Sequence, residues 1–423
     1  MKPYQGYVYA YPHKTAYRVL APEPSLKEVW RDEDRSALFL YLHVPFCEIR
    51  CGFCNLFTRT GAGADLTTAY LDALDRQATA ALDALGGFRV ATAAFGGGTP
   101  TYFTAAELER LCGIAGRFAT GVPLGVETSP GTATRDRLEV LRDHGTTRVS
   151  IGVQSFVEAE ARAAVRPQRT AEVVTALDTI RDVGFPTLNL DLIYGIDGQT
   201  PESWLRSIDR ALTWRPEEIY LYPLYVRPLT GLGRMGRDWD DQRLSLYRLG
   251  RDHLAAAGYE QVSMRMFRLP AAPSGPGGGT EYCCQEDGMV GLGCGARSYT
   301  SALHYSFEYA VHATQVRGII DDYVAAADFS TARVGFTLDD GERRRRHLIQ
   351  SLLQVTGVDR AAYRERFGSD VLDDFDLTPY TGWTEEDAAT VRLTPEGLAH
   401  SDAIGPALFS APVRALMDAY EAR

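Results

Sequence analysis

The chain contains no run of about 18 apolar residues, so no transmembrane helix is expected. Its first segment, Met1 to Arg18, is rich in tyrosine and lacks the apolar core of a signal peptide. A cytoplasmic location is therefore the expectation. Basic residues are in deficit: 44 Lys and Arg stand against 55 Asp and Glu, for a net charge of −11. A general nucleic-acid binder would show a basic surface, so no nucleic-acid partner is expected, and no membrane partner either. No repeat of fixed period is present. Cysteines are few and odd in number, 7 in all. In a reducing compartment that count points to metal ligation or catalysis, not to a disulfide framework. What remains is ordinary: 45% hydrophobic and 23% charged residues over 423 positions, enough for two or three globular domains.

Residues 1–35 read as an arm carrying several tyrosines. From Ala37 to Val44 an apolar run ends at Pro45 and reads as a buried strand. Strand-like runs recur at Val90 to Phe95, Val122 to Glu127, Arg148 to Val153, Thr187 to Tyr194 and Glu218 to Leu224. Helical patterns lie between them: Leu66 to Leu85, Ala105 to Phe118, Thr134 to His144, Ala171 to Val183 and Pro201 to Trp214. This alternation predicts an α/β fold with a parallel sheet, rolled by right-handed crossovers into a partial (βα)6 TIM-like barrel over 36–270. Ala271 to Gly279 is a Pro/Gly-rich break, and 271–423 is expected as a mostly helical C-terminal domain.

The sharpest motif is Cys47-x-x-x-Cys51-x-x-Cys54, directly after the first strand. Thiolates are soft enough to hold an iron–sulfur cluster. Three ligands for four irons would leave one iron open, as in a catalytic metal site. The bland alternative is a zinc knuckle with a distant fourth ligand such as His43. Gly96-Gly97-Gly98-Thr99-Pro100 ends the second strand, where ligands collect in such barrels, although a glycine run alone is often a plain turn. Later strands carry polar residues: Glu127, Ser150, Gln154, Asn189 and Asp191. Each could be a structural hydrogen-bonder. Together at one barrel mouth they read as a polar-ligand site.

In that order, the Tyr41–Cys47 stretch with its cysteine triplet, the Gly-Gly-Gly-Thr-Pro run, Gly152–Phe156 and Asp191–Gly195 resemble the radical S-adenosylmethionine (SAM) superfamily. Within it the chain resembles the oxygen-independent coproporphyrinogen III oxidase-like branch. That branch includes the oxidase, heme chaperones of HemW type and class C methyltransferases. The resemblance is strong over about 37–230 and weaker over 281–423. It implies a [4Fe–4S] cluster on Cys47, Cys51 and Cys54, flanked by Tyr41 and Phe53. It implies SAM as cofactor, contacted by Gly97, Gly98, Thr99, Glu127, Ser150, Gln154, Arg166 and Asp191. Without it, Arg166 would pass for a surface salt-bridge former. In the implied chemistry one electron cleaves SAM, and a 5′-deoxyadenosyl radical takes hydrogen from a small-molecule substrate. A reductant such as flavodoxin or ferredoxin is the implied protein partner.

Two departures bear on the substrate. The oxidase carries a further cysteine two residues after the third, where this chain has Leu56. Cys283 and Cys284 stand where relatives often show an aromatic pair. They read either as small buried residues or as a substrate-facing catalytic thiol. Tyr9-Ala10-Tyr11-Pro12-His13-Lys14 echoes the oxidase's arm; His13, Lys14 and Arg18 could pair a substrate carboxylate, or the arm could simply pack its tyrosines. These features favour methyl transfer or another radical conversion over propionate decarboxylation. The rivals are coproporphyrinogen III dehydrogenation itself and a non-enzymatic heme chaperone of HemW type.

Overall fold

A computed structural model describes residues 2–6, 8, 10–226, 230–233, 241–273 and 288–420. Six parallel strands lie side by side in chain order: β1 Leu38–Val44, β2 Val90–Gly97, β3 Leu124–Thr128, β4 Thr146–Gln154, β5 Thr187–Tyr194 and β6 Glu218–Pro223. Helices α1 Ala64–Leu85, α2 Ala105–Gly116, α3 Arg135–Asp143, α4 Glu158–Ala163, α5 Thr170–Val183, α6 Pro201–Leu212 and α7 Arg243–Ala256 link and follow them. Alternation sets the faces of β1. Leu38, Leu40, Leu42 and Val44 join the core under the helices, while Phe39 and Tyr41 pack with Ala94, Met289 and Tyr299 on the other side. Local signals fix the helix ends. A capping box of Thr104 and Glu107 starts α2, and Gly184 closes α5 in the left-handed region.

The barrel is open, as expected. Strand β6 pairs antiparallel with β7 Met266–Arg268, and β1 pairs parallel with β8 Met289–Leu292. Beyond β8 the same sheet continues through β9 Arg297–Tyr299, β10 Leu303–Ser306 and β11 Val334–Thr337. The first part of 271–423 thus extends the barrel's sheet, and α8 Ala313–Ala325 packs into the barrel's core through Val316, Ile319 and Ile320. Helices follow from α9 Asp340–Leu352 onward and build a second core with a small three-stranded sheet.

The arm enters that second core. Val8, Tyr11 and Ala16 are buried among Leu348, Ile349 and Phe409. The three residues offered for a carboxylate are occupied otherwise. Arg18 donates to the carbonyls of Thr15, Tyr17 and Leu416. His13 Nδ1 lies 2.8 Å from Thr15 Oγ1, and Lys14 Nζ sits 3.9 Å over the Tyr309 ring. Packing is therefore the arm's observed role. Its outer end still reaches the barrel mouth, where Tyr4 meets Tyr194 and Tyr225 edge-on. Among the described residues no helix is long and apolar enough to cross a membrane.

Candidate active site

The C-terminal ends of the barrel strands surround a cavity of about 460 Å³. The cysteine loop forms one rim. Phe46–Cys47 pairs with Arg59–Thr60 and closes the loop between them. Gly98 N–H donates to Val44 O at 2.7 Å, and Thr99 N–H to Phe46 O at 2.8 Å, which pins the glycine run to the loop's base. His43 lies beneath, its Nε2 3.1 Å from Phe57 O. That nitrogen is engaged in the loop's own backbone, and the other, Nδ1, lies 3.5 Å from the Tyr41 hydroxyl. Burial lowers the His43 pKa to about 4, so the ring is neutral.

Cys47, Cys51 and Cys54 all line the cavity, and each has one polar side chain beside its sulfur. Thr99 Oγ1 donates to Cys47 Sγ at 3.5 Å. Arg166 Nη1 donates to Cys51 Sγ at 3.2 Å. Thr58 Oγ1 lies 4.0 Å from Cys54 Sγ. Burial pushes the Cys47 thiol up to about 12 and raises Cys54 as well, so loading with metal must release protons. Among the described residues no three His, Cys, Asp or Glu side chains converge on a single ion. The three thiols face one space.

The floor is acidic. Glu127 and Asp191 sit on buried strands, but both side chains look into the cavity, and Glu127 is exposed to it. Gly97 N–H donates to Glu127 Oε2 at 3.0 Å. Asn189 Nδ2 donates to Asp191 Oδ1 at 2.8 Å and also to Ser150 Oγ. Desolvation first, then the charge of Asp191, raises Glu127 to about 7. Desolvation raises Asp191 to about 6 against the pull of Asn189 and Arg148. Buried Asn189 Oδ1 has no hydrogen-bond donor. The two carboxylates suit a ligand that brings hydrogen-bond donors and positive charge.

The glycine run serves through bareness. The N–H groups of Gly97, Gly98 and Thr99 are all spent within the protein. A Cβ on Gly98 would lie 2.7 Å from Phe46 O and 3.0 Å from Cys47 Sγ. A Cβ on Gly97, whose φ is 108°, would lie 2.4 Å from the His43 ring. Bare backbone here lets the run pack against His43 and the base of the cysteine loop, and it leaves no free amide donor for a ligand.

Another wall is formed by the end of β4 and the turn that follows α4. Gln154 and Val165 both take positive φ, 68° and 50°. Arg166 is held three ways: on Cys51, on Gly152 O at 2.6 Å through Nη2, and on Gln168 Oε1 at 2.9 Å through Nε. Gln168 in turn donates to Val153 O and Ser155 O. Arg166 is thus no surface ion-pair former.

Phe53, Ser150 and Gln154 also line the cavity. Tyr41 does not. Its hydroxyl would lie 3.0 Å from a Cβ on Gly96, inside the barrel and below the cavity. Cys283 and Cys284 lie outside the described residues. Sequence reasoning missed Gln168, Ile193, Tyr222 and Tyr225 as lining residues. Period-two counting would have found Ile193, two places beyond Asp191 on the same face.

Residues 41–211 match the Radical SAM superfamily. The chain is 32% identical over 284 residues to an oxygen-independent coproporphyrinogen III oxidase of Salmonella typhimurium, covering 63% of this chain and 61% of that protein. It therefore spans less than two thirds of that relative's length. It is 26% identical to the heme chaperone HemW of Bacillus subtilis, covering 78% of this chain and 86% of the chaperone. In fold it is similar to the crystallised coproporphyrinogen III oxidase of Escherichia coli, with a TM-score of 0.76, 23% identity and 98% of both chains covered.

Proposed function

The match of residues 41–211 to the Radical SAM superfamily is the premise from which we propose that this protein is an enzyme that modifies a small molecule by hydrogen-atom abstraction. One observation carries the reading: three thiols, a bare glycine run and two carboxylates line a single cavity at the strand ends. Cys47, Cys51 and Cys54 would hold a [4Fe–4S] cluster. Glu127, Asp191, Gln154 and Arg166, with the cavity wall at Gly97 and Gly98, would hold SAM. When bound, this pair supplies one-electron cleavage of SAM and, from it, a hydrogen-abstracting carbon radical.

The chain's own residues bind and orient. The acids attract the cationic end of SAM, and Arg166, its nitrogens engaged within the protein, adds positive charge to another wall. Ile193, Leu224 and Phe53 form an apolar patch that limits water around the reacting atoms. A one-electron protein donor of flavodoxin or ferredoxin type would feed the cluster. Leu56 turns an apolar side chain to the cavity where the oxidase pattern has a cysteine. This favours a conversion other than propionate decarboxylation, methyl transfer among them.

Anaerobically reconstituted protein, reduced with dithionite and mixed with SAM, should release 5′-deoxyadenosine. Tight heme binding without that product would replace the enzymatic reading with a chaperone role like that named for the Bacillus relative.

A further inference from the structure

We propose that Arg166 sets the reduction potential of the cluster, acting through its hydrogen bond to the Cys51 sulfur. The inference rests on the cluster assignment above and concerns a role that SAM binding does not require. Its observation is the 3.2 Å contact from Arg166 Nη1 to Cys51 Sγ. Of the polar side chains beside the three sulfurs it is the charged one; Thr99 and Thr58 offer neutral hydroxyls at 3.5 and 4.0 Å.

The contact is built into the fold. Gly52, next to Cys51, donates its N–H to Ala164 O at 3.1 Å. A Cβ at position 52 would lie 2.6 Å from Val165 Cβ and 2.9 Å from Ala164 O. Glycine there lets the turn press onto the cysteine loop. Val165 itself is held at φ 50°, a conformation that a β-branched residue strongly resists. Such strain persists where the surroundings over-determine it, and it gathers at functional sites. Here the strained residue immediately precedes the arginine. The remaining guanidinium nitrogens are tied to Gly152 O and Gln168, so the group is aimed at the sulfur before any ligand arrives.

Hydrogen bonds to cluster sulfurs are among the levers that tune potential. One-electron reduction adds negative charge to the cluster and its thiolates. A cationic donor on one thiolate stabilises that reduced state more than the oxidised one, and so raises the potential. Removing it should make the cluster harder to reduce.

The test is a redox titration of the reconstituted cluster without SAM, followed by absorbance and by the EPR signal of the reduced form. Arg166→Met should titrate at a more negative potential than the parent. Arg166→Lys should fall between them, and Thr99→Val should shift the same way but less. Arg162→Met removes an exposed charge, paired with Glu158, from the same connection, and should leave the potential in place. Equal potentials for Arg166→Met and the parent would overturn the inference, as would an equal shift in Arg162→Met. Loss of the cluster from both Arg166 variants would overturn it too, because the arginine would then serve assembly. A parent protein that takes up no cluster would sink the underlying cluster assignment instead, and this inference with it.

Discussion

Arg265 and Asp402 face each other across the seam between the barrel and the C-terminal helices, with Nη2 2.7 Å from both carboxylate oxygens. Both side chains are almost wholly buried. Asp402 also receives the arm: its carboxylate accepts from Val8 N–H, and its carbonyl accepts from Gln5 and Gly6. One residue thus joins barrel edge, helical core and arm. Removing one partner of a buried pair leaves an uncompensated charge and costs about 3–5 kcal/mol. Asp402→Ala should lose that much in urea unfolding. It should also free the arm near residues 4–8 to limited proteolysis while the thiols keep their metal-binding capacity.

The barrel was readable because its strands are long apolar runs with helices between them. For Thr187–Tyr194 the expected and observed limits coincide. The extension through β8 to β11 was not readable. These strands are 3–4 residues long, too short to show a period, and β8 contains Gly291. That glycine is there for contact: a Cβ on it would lie 2.0 Å from Arg297 O. Helix α4, of 6 residues, was likewise too short to register as a periodic pattern. The cluster loop and the acids were legible as residue types in strand-end positions. The engagement of the glycine-run amides was not, since it depends on where Val44, Phe46 and Glu127 lie in space.

Iron content should follow the three cavity thiols. Reconstituted parent protein should hold about four irons per chain with matching sulfide. Cys47→Ala, Cys51→Ala and Cys54→Ala, combined, should abolish both. Cys112 and Cys294 are buried and do not line the cavity, so alanine there should leave iron unchanged. Cys283→Ala and Cys284→Ala are expected to keep full iron as well. A triple variant that retains the parent's iron and sulfide would falsify the ligand set.

SAM binding should strengthen as pH rises. Glu127 is raised to about 7 and Asp191 to about 6, so at pH 5.5 to 6 (roughly) much of each is neutral, and by about pH 8 both are ionised. A sulfonium cation prefers the ionised form. The linkage on folding runs the other way. Between the unfolded carboxylate range and these raised values the native state holds extra protons, so stability falls as pH rises through that window. Water in the cavity screens the effect. Equilibrium binding of SAM at pH 6 and pH 8 should show tighter binding at the higher pH. Asp191→Asn and Glu127→Gln should each flatten the difference while leaving iron content intact. The same pH dependence in both variants and parent would assign these acids a structural role.

Gly52 and Val165 should respond oppositely to substitution. Alanine at 52 places a methyl group 2.6 Å from Val165 Cβ and 2.9 Å from Ala164 O, and the second of these is backbone that has little room to move. Overpacking of this kind costs about 1–3 kcal/mol. Gly52→Ala should lower the denaturation midpoint and separate the turn from the cysteine loop. Val165→Gly removes the strain of a β-branched residue in the left-handed region, worth about 1–3 kcal/mol. Against that stands the extra backbone entropy of glycine in the unfolded chain, about 0.5–1 kcal/mol. Residue 165 is 40% exposed, so removing its side chain costs only part of a valine's apolar burial. Val165→Gly should therefore be neutral to stabilising. Urea titrations of the two metal-free variants check this: a loss of stability in Val165→Gly as large as in Gly52→Ala would mean that the valine side chain, not its backbone angle, holds the turn in place.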